Sequence, residues 1–168
     1  MKVTGYKIRE ALKIWQTRRD TAEGQFKGTL IHFEGDEVKD PKEISNHIAE
    51  AEAALSRLQV LQVRYNLQVT TSVDGLDDIT LLECIKRIGG LGRLEKMWRS
   101  ASRKPEDRYG DPTVRTKDTV VAKRSISYDD AAKITTAYGK QAAALREAIA
   151  VGNATSVEFE NLDAALFE

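Results

Sequence analysis

A single cysteine, Cys84, excludes an internal disulfide, and with only His32 and His47 beside it a dedicated transition-metal site is not expected. No apolar run approaches the ~18 residues that a membrane span needs. The leading stretch MKVTGYKIREALKIW has no apolar h-region, so the expected compartment is the cytoplasm. An excess of one sign of charge is missing too, since 26 Lys and Arg balance 26 Asp and Glu. That balance argues against a general nucleic-acid binder, whose affinity rests on neutralising phosphates. What remains, 168 residues with 41% hydrophobic and 31% charged, is ordinary composition for one globular or helical-bundle domain.

The charge is unevenly spread. Residues 1–19 carry six basic groups against one acid, and 20–83 carry five against thirteen. Residues 86–124 carry twelve against five, and 125–168 three against seven. Blocks of alternating sign serve as complementary helix faces in a bundle or oligomer, or as a cationic pocket for an anionic ligand.

Ile8, Leu12, Trp15, Ala22 and Phe26 recur near the helical period and predict a first helix from about Thr4 to Phe26. Thr29–Phe33 then reads as a strand or a loop. Asp40-Pro41-Lys42-Glu43 carries the chemistry of a helix start: an Asp N-cap, proline in the first turn, and a Glu that can reach back. From Ile44 through Ile48, Ala51, Leu55, Leu58, Gln62 and Tyr65 to Val69 the spacing is that of a coiled-coil seam. Ala54, Leu61 and Leu67 add a second stripe, more apolar face than one partner helix covers, which points to a multi-helix bundle or a subunit interface and motivates the expectation of a homo-oligomer.

Ser72–Asp78 reads as a turn ending in a helix cap, followed by a third helix from about Ile79 to Arg103. That helix contains RIGGLGRLEKMW, with Gly89, Gly90 and Gly92 crowded together. The spacing matches neither GxxxxGK[ST] nor GxGxxG after a strand, so a phosphate-cradling loop is excluded. Three interior glycines cost on the order of 2–3 kcal/mol relative to alanine, and Gly89 and Gly92 share a face. Close crossing by another helix, a ligand seated on a bare helix face, or a kink would each account for them. Residues 103–118 read as a mobile connection, and Thr119–Ser127 as a strand pairing with 29–33. A last helix is expected over Ala131–Val151, capped by Ser127–Asp130, facing Ile134, Ala137, Tyr138, Leu145 and Ile149 inward and stopped by Gly152-Asn153. The acidic tail 158–168, outside a single helical domain of 1–157, docks as a short segment or stays partly loose.

Several of these short motifs occur in one order: Glu34-Gly35-Asp36, Asp40-Pro41, Arg64-Tyr65-Asn66, Thr80-Leu81, Arg87, then Leu145, Ile149, Asn153 and Thr155. That order resembles the septicolysin-like family of small helical bacterial proteins. The resemblance implies an oligomeric helical protein of unsettled biochemistry. Ile88-Gly89 stands where the family continues with Arg-Asp, and Ala154 where it has tryptophan, so a polar site built on those groups is altered or lost. The haemolysis in the family's name has no support in this composition.

No catalytic constellation emerges. The histidines precede residue 50, His47 lies off the apolar seam, Cys84 reads as a core thiol, and Asp77-Asp78 and Asp129-Asp130 read as helix caps. The chemistry-bearing set is basic and aromatic: Arg64, Asn66, Arg87, Arg93, Trp98 and Arg124. Guanidinium groups grip phosphates, Asn reads a base edge and Trp offers a stacking face. The expectation is a mainly α bundle of long antiparallel helices with a small β hairpin-like element, forming a homo-oligomer. Its function is expected to be non-catalytic binding or sequestration of a small, nucleotide-like anion. Phage and bacterial sponges for immune signalling nucleotides are the analogy. No cofactor, metal, membrane or general nucleic-acid partner is expected. The alternative is a structural or protein-interaction module without a small ligand.

Overall fold

The computed structural model describes residues 1–31, 33, 35, 39–73, 75–104 and 124–168. Its elements are β1 (Lys2–Val3), α1 (Gly5–Thr29), α2 (Pro41–Gln68), β2 (Thr70–Val73), β3 (Leu76–Thr80), α3 (Leu81–Ser102), α4 (Tyr128–Ala154), β4 (Val157–Glu158) and a 3-10 turn, Ala164–Phe167. The protein is mainly helical, with β1 paired to β4 and β2 to β3. Among the described residues no helix is long and apolar enough to cross a membrane. Two compact units divide the chain: Met1–Thr71 with Thr80–Leu82 and Ala150–Glu168, and Ser72–Ile79 with Glu83–Ile149.

The first unit is organised by α1 lying along α2. Thr4 caps α1, its hydroxyl accepting the Lys7 amide at 3.2 Å. Asp40 caps α2 in the same way, accepting from the Lys42 amide at 2.9 Å, with Pro41 in the first turn. The seam of α2 turns inward as its spacing predicts: Ile44, Ala51, Leu55, Leu58, Tyr65 and Val69 are buried, as are Ala54 and Leu61 of the second stripe. Against them α1 buries Ile8, Ala11, Leu12, Trp15 and Ala22. Side chains hidden this completely contribute roughly 1.5–3 kcal/mol each. The seam is therefore covered within the chain, so it is not the open oligomer face that its width suggested. Leu67 alone of the second stripe stays exposed, on a face shared with Val60 and Val63.

The chain ends close this unit. Lys2 and Val3 pair antiparallel with Glu158 and Val157. The Met1 ammonium donates to the Phe159 carbonyl at 2.8 Å, and the Phe159 amide donates back to the Met1 carbonyl at 3.0 Å. The Trp15 indole N–H donates to the Leu166 carbonyl at 3.0 Å from a buried position. Residues 157–168 are thus docked, with Phe159 and Leu166 in the core.

Gly152 and Asn153 do not stop α4, which continues to Ala154, and both are buried. The Tyr65 hydroxyl lies 2.7 Å from the carbonyls of both Gly152 and Thr155, so its one proton serves two acceptors at the helix end. A Cβ on Gly152 would collide with the side chain of Leu81, which has no exposed surface. A Cβ on Gly5 would collide likewise with Asn153 and meet Tyr65 at 2.8 Å. These two glycines permit a close approach of the kind that was one of three readings of Gly89 and Gly92. Among the described residues nothing lies within 4 Å of a Cβ built on Gly90 or Gly92, and only Arg93 Nη1 approaches one on Gly89, at 3.9 Å.

In the second unit the expected turn at Ser72–Asp78 contains strand residues on both sides of Gly75, whose φ of +79° suits a tight reversal. Asp77 and Asp78 belong to β3 and cap nothing, because α3 begins only at Leu81; Asp78 takes a φ of 55°, a conformation Asp tolerates better than most residues. Ser127 does cap α4: its hydroxyl donates to Asp130 Oδ2 at 2.7 Å and accepts the Asp130 amide at 3.0 Å. That hydroxyl first, and Lys133 second, hold the Asp130 carboxyl below its ordinary value. The inward face of α4 is Ala131, Ala142, Leu145, Ala148 and Ile149, whereas Ala137 is exposed and Ile134 and Tyr138 half-buried. Of the two readings for 29–33, strand or loop, the described residues favour the loop: Thr29 ends α1, Leu30 caps it, and neither Ile31 nor Phe33 is in a strand. His32, the connection from 105 and the strand at 119–123 lie outside the described residues, and Arg124–Ser127 is not extended into a strand.

Candidate functional site

The six residues singled out by chemistry are divided between the two units. Arg64 and Asn66 belong to the first unit; Arg87, Arg93, Trp98 and Arg124 belong to the second. Asn66 is only 8% exposed, at the end of α2, and faces the interior of its unit. Arg64 lines a groove of about 450 Å³ against the C-terminal segment, together with Arg57, Glu160 and Asp163. Arg57 already faces Asp163 at 3.8 Å, so this groove offers an anion both signs of charge.

Arg124 has a structural task. Its Nη2 donates to the Ala101 carbonyl at 2.7 Å, where α3 runs out of intrahelical partners. Its Nε donates to the Ile126 carbonyl at 3.1 Å, and its guanidinium lies 3.8 Å from the centre of the Tyr128 ring. Closing one helix and entering the next, this single cation commits its Nε and one Nη2 proton to backbone carbonyls. Arg93 lies back toward Gly89 on the exposed side of α3, and Trp98 is half-buried. Lys123, another member of the basic segment, lies outside the described residues.

Arg87 stands differently. It is exposed on α3 and lines a groove of about 510 Å³ with Val73 of β2, Leu76 of β3, Gly90, Leu91 and Leu94 of α3, and Gln141 and Leu145 of α4. The volume lies within the ~300–1,000 Å³ of small-molecule sites. Each lining residue has a local cause. The reversal at Gly75 brings Val73 and Leu76 to one place. Positions 87, 90, 91 and 94 of α3 share a face by helical spacing. Positions 141 and 145 of α4 are one turn apart, and α4 approaches α3 closely enough that a Cβ on Gly139 would lie 3.8 Å from the Glu95 carboxyl. The missing Gly90 side chain leaves the groove floor open. Among the described residues that line this groove Arg87 is the charged one.

A larger groove of about 680 Å³ runs along α1 and α2, and its polar groups are mixed: Arg18 and Lys39 against Glu43 and Glu50, with the exposed His47 among them. Arg18 is also engaged, 4.6 Å from the Trp15 ring centre and donating to the Glu168 carbonyl at 3.2 Å. Arg18 is thus already committed to Trp15 and the C-terminal segment.

Cys84 is fully buried, and burial first, then the Glu83 charge, push its thiol up, with Arg87 pulling the other way. A thiol kept protonated is a poor nucleophile. Among the described residues no group of three or more His, Cys, Asp or Glu could hold a metal ion. No family model, curated protein or solved structure matches this chain.

Of the groove lining, sequence reasoning reached Arg87 and the glycine cluster and missed the rest. The Asp74-Gly75 pair between two β-prone runs was the available signal for the reversal that supplies Val73 and Leu76. Gln141 carried no signal, since nothing local distinguishes it from any polar residue on a helix.

Proposed function

We propose that this chain is a cytoplasmic, non-catalytic binding protein whose Arg87 groove takes up a small anionic molecule. The supporting observation is the groove itself: among the described residues of its lining, a guanidinium and an amide stand among aliphatic walls. Such a lining rewards a negatively charged group at one end of an otherwise apolar body, because the charge-assisted bond orients the ligand while the walls remove its surface from water. The stacking face expected for a nucleotide base has no counterpart among the described residues of the lining, so the support is for the anion more than for the base.

Native mass spectrometry of the protein purified from cells tests the reading. A small bound mass is expected with the unaltered chain and not with Gly90→Leu, which fills the groove. The variant side chain starts in open space, so the fold has no reason to suffer. Absence of any adduct, together with flat calorimetric titrations of cyclic and ADP-ribose-type nucleotides and of simple organic acids, sinks the proposal.

One observation favours a second reading, a helical module that associates with itself. Val60, Val63 and Leu67 are 51%, 49% and 52% exposed at helical spacing on α2. An apolar strip of this kind marks an interaction face when it is continuous. Light scattering at micromolar concentration distinguishes this reading: Val63→Glu lowers the mass of an assembly and leaves a monomer's unchanged. Oligomerisation of this sort also accords with the septicolysin-like resemblance.

A further inference from the structure

We infer that the anion accepted by the Arg87 groove is the carboxylate of an aliphatic chain. The inference rests on the reading of that groove as a ligand site and names the chemistry of its ligand. Three features carry it. The first is the character of the walls: Leu91, Leu94 and Leu145 represent a lining whose apolar members, among the described residues, are all aliphatic. A nucleotide base gains its affinity from stacking on ring faces, and those residues have none to offer.

The second feature is the count of charges. Arg87 is the one cation among the described residues of the lining. A phosphate monoester carries up to two negative charges and three terminal oxygens and is held by several converging donors in a desolvated site. A carboxylate has one charge and two oxygens in a plane, which one guanidinium satisfies with two parallel bonds. Gln141 adds a single amide donor beside it.

The third feature is unspent apolar surface. Leu94 stays 38% exposed and Met97, one turn further along α3, 55% exposed. Gly90 leaves the floor between Arg87 and Leu94 without a side chain, so a methylene chain can lie against the helix there. Each methylene removed from water strengthens binding by about fourfold. A chain anchored at Arg87 and laid toward Leu94 collects that gain repeatedly, which a compact polar anion does not.

Isothermal titration of the full chain with hexanoate, octanoate, decanoate and dodecanoate, each below its micelle concentration, tests this. The methyl ester of decanoate and adenosine monophosphate serve as comparisons. Affinity is expected to rise by about fourfold per methylene until the chain outgrows the groove, and the ester to bind more weakly than the acid. Arg87→Met should weaken the acids roughly ten- to a hundredfold and leave the ester unchanged. Gly90→Leu should abolish binding of both, with the helical circular dichroism of each variant unaltered. Acid and ester binding equally, or acids indifferent to Arg87→Met, overturns the carboxylate assignment. Arg87-dependent binding of adenosine monophosphate without binding of the acids also overturns it, while leaving the proposed anion-binding function standing. If no acid and no nucleotide binds, that function falls with it.

Discussion

Replacing Gly152 and Gly92 by alanine, one at a time, should move thermal stability in opposite directions. Both glycines lie inside helices, Gly92 in α3 and Gly152 in α4. The intrinsic gain of a helix-interior Gly→Ala change is about 1 kcal/mol, somewhat less near a helix end. At Gly92 the new methyl meets nothing within 4 Å, so the gain is realised. At Gly152 the methyl is driven into the end of the Leu81 side chain, with its Cδ1 and Cγ both at 3.1 Å as well. Leu81 has 0% of its surface exposed and no space to turn into. Overpacking of this kind costs roughly 1–3 kcal/mol and exceeds the propensity gain. For a chain of this size about 1 kcal/mol corresponds to ~2–4 °C in Tm. Differential scanning calorimetry should therefore show Gly92→Ala melting a few degrees higher and Gly152→Ala a few degrees lower. Combining Gly152→Ala with Leu81→Ala supplies the control. The alanine methyl then fills part of the space that Leu81 vacates, so the pair should cost less than the two single changes together. Equal upward shifts for both single variants would refute the packing argument, because they would show that Leu81 yields freely.

Two further outcomes follow from the core and the Tyr65 contacts. Leu55→Asp, at a position 3% exposed in the α2 seam, buries an unpaired charge and should cost more than about 3 kcal/mol, read as loss of the cooperative urea transition. Burial holds the Tyr65 phenol above its ordinary value, with the Gly5 amide opposing. Its protonated form therefore adds stability that is whole below the unfolded tyrosine's pKa and is lost as pH rises through the raised folded value. Tyr65→Phe should cost ~1–3 kcal/mol at neutral pH, because the carbonyls it serves lose their donor. Its urea midpoint should approach that of the unaltered chain as the solution turns strongly alkaline. A difference that stays constant across that range contradicts the assigned role.

Local chemistry was enough for α2. Asp40 and Pro41 write its start, and a run of apolar residues at three- and four-residue spacing writes its inner face, because capping and amphipathicity act over a turn or two of helix. The caps at Thr4 and Ser127 act over the same range, and Ser127 was legible for the same reason. Arg87 was legible as a cation on a helix, and the glycines beside it as an anomaly that needed a cause.

What those glycines face was not legible, because no residue near them encodes what lies across the gap. The close contacts occur instead at Gly5 and Gly152, with partners, Tyr65 and Leu81, that lie dozens of residues away in the chain. Gly152-Asn153 read as a stop signal because helix propensity was the only local term. Tertiary structure reversed it, supplying the Tyr65 hydroxyl to the carbonyls at the helix end and requiring a residue without a side chain beside Leu81. The pairing of Lys2 and Val3 with Glu158 and Val157 joins the two ends of the sequence, a closure that no short window contains. The Arg87 groove is the same kind of object. Its walls come from β2, β3, α3 and α4, and only the packing of those elements decides that Val73 and Leu145 share one surface with an arginine.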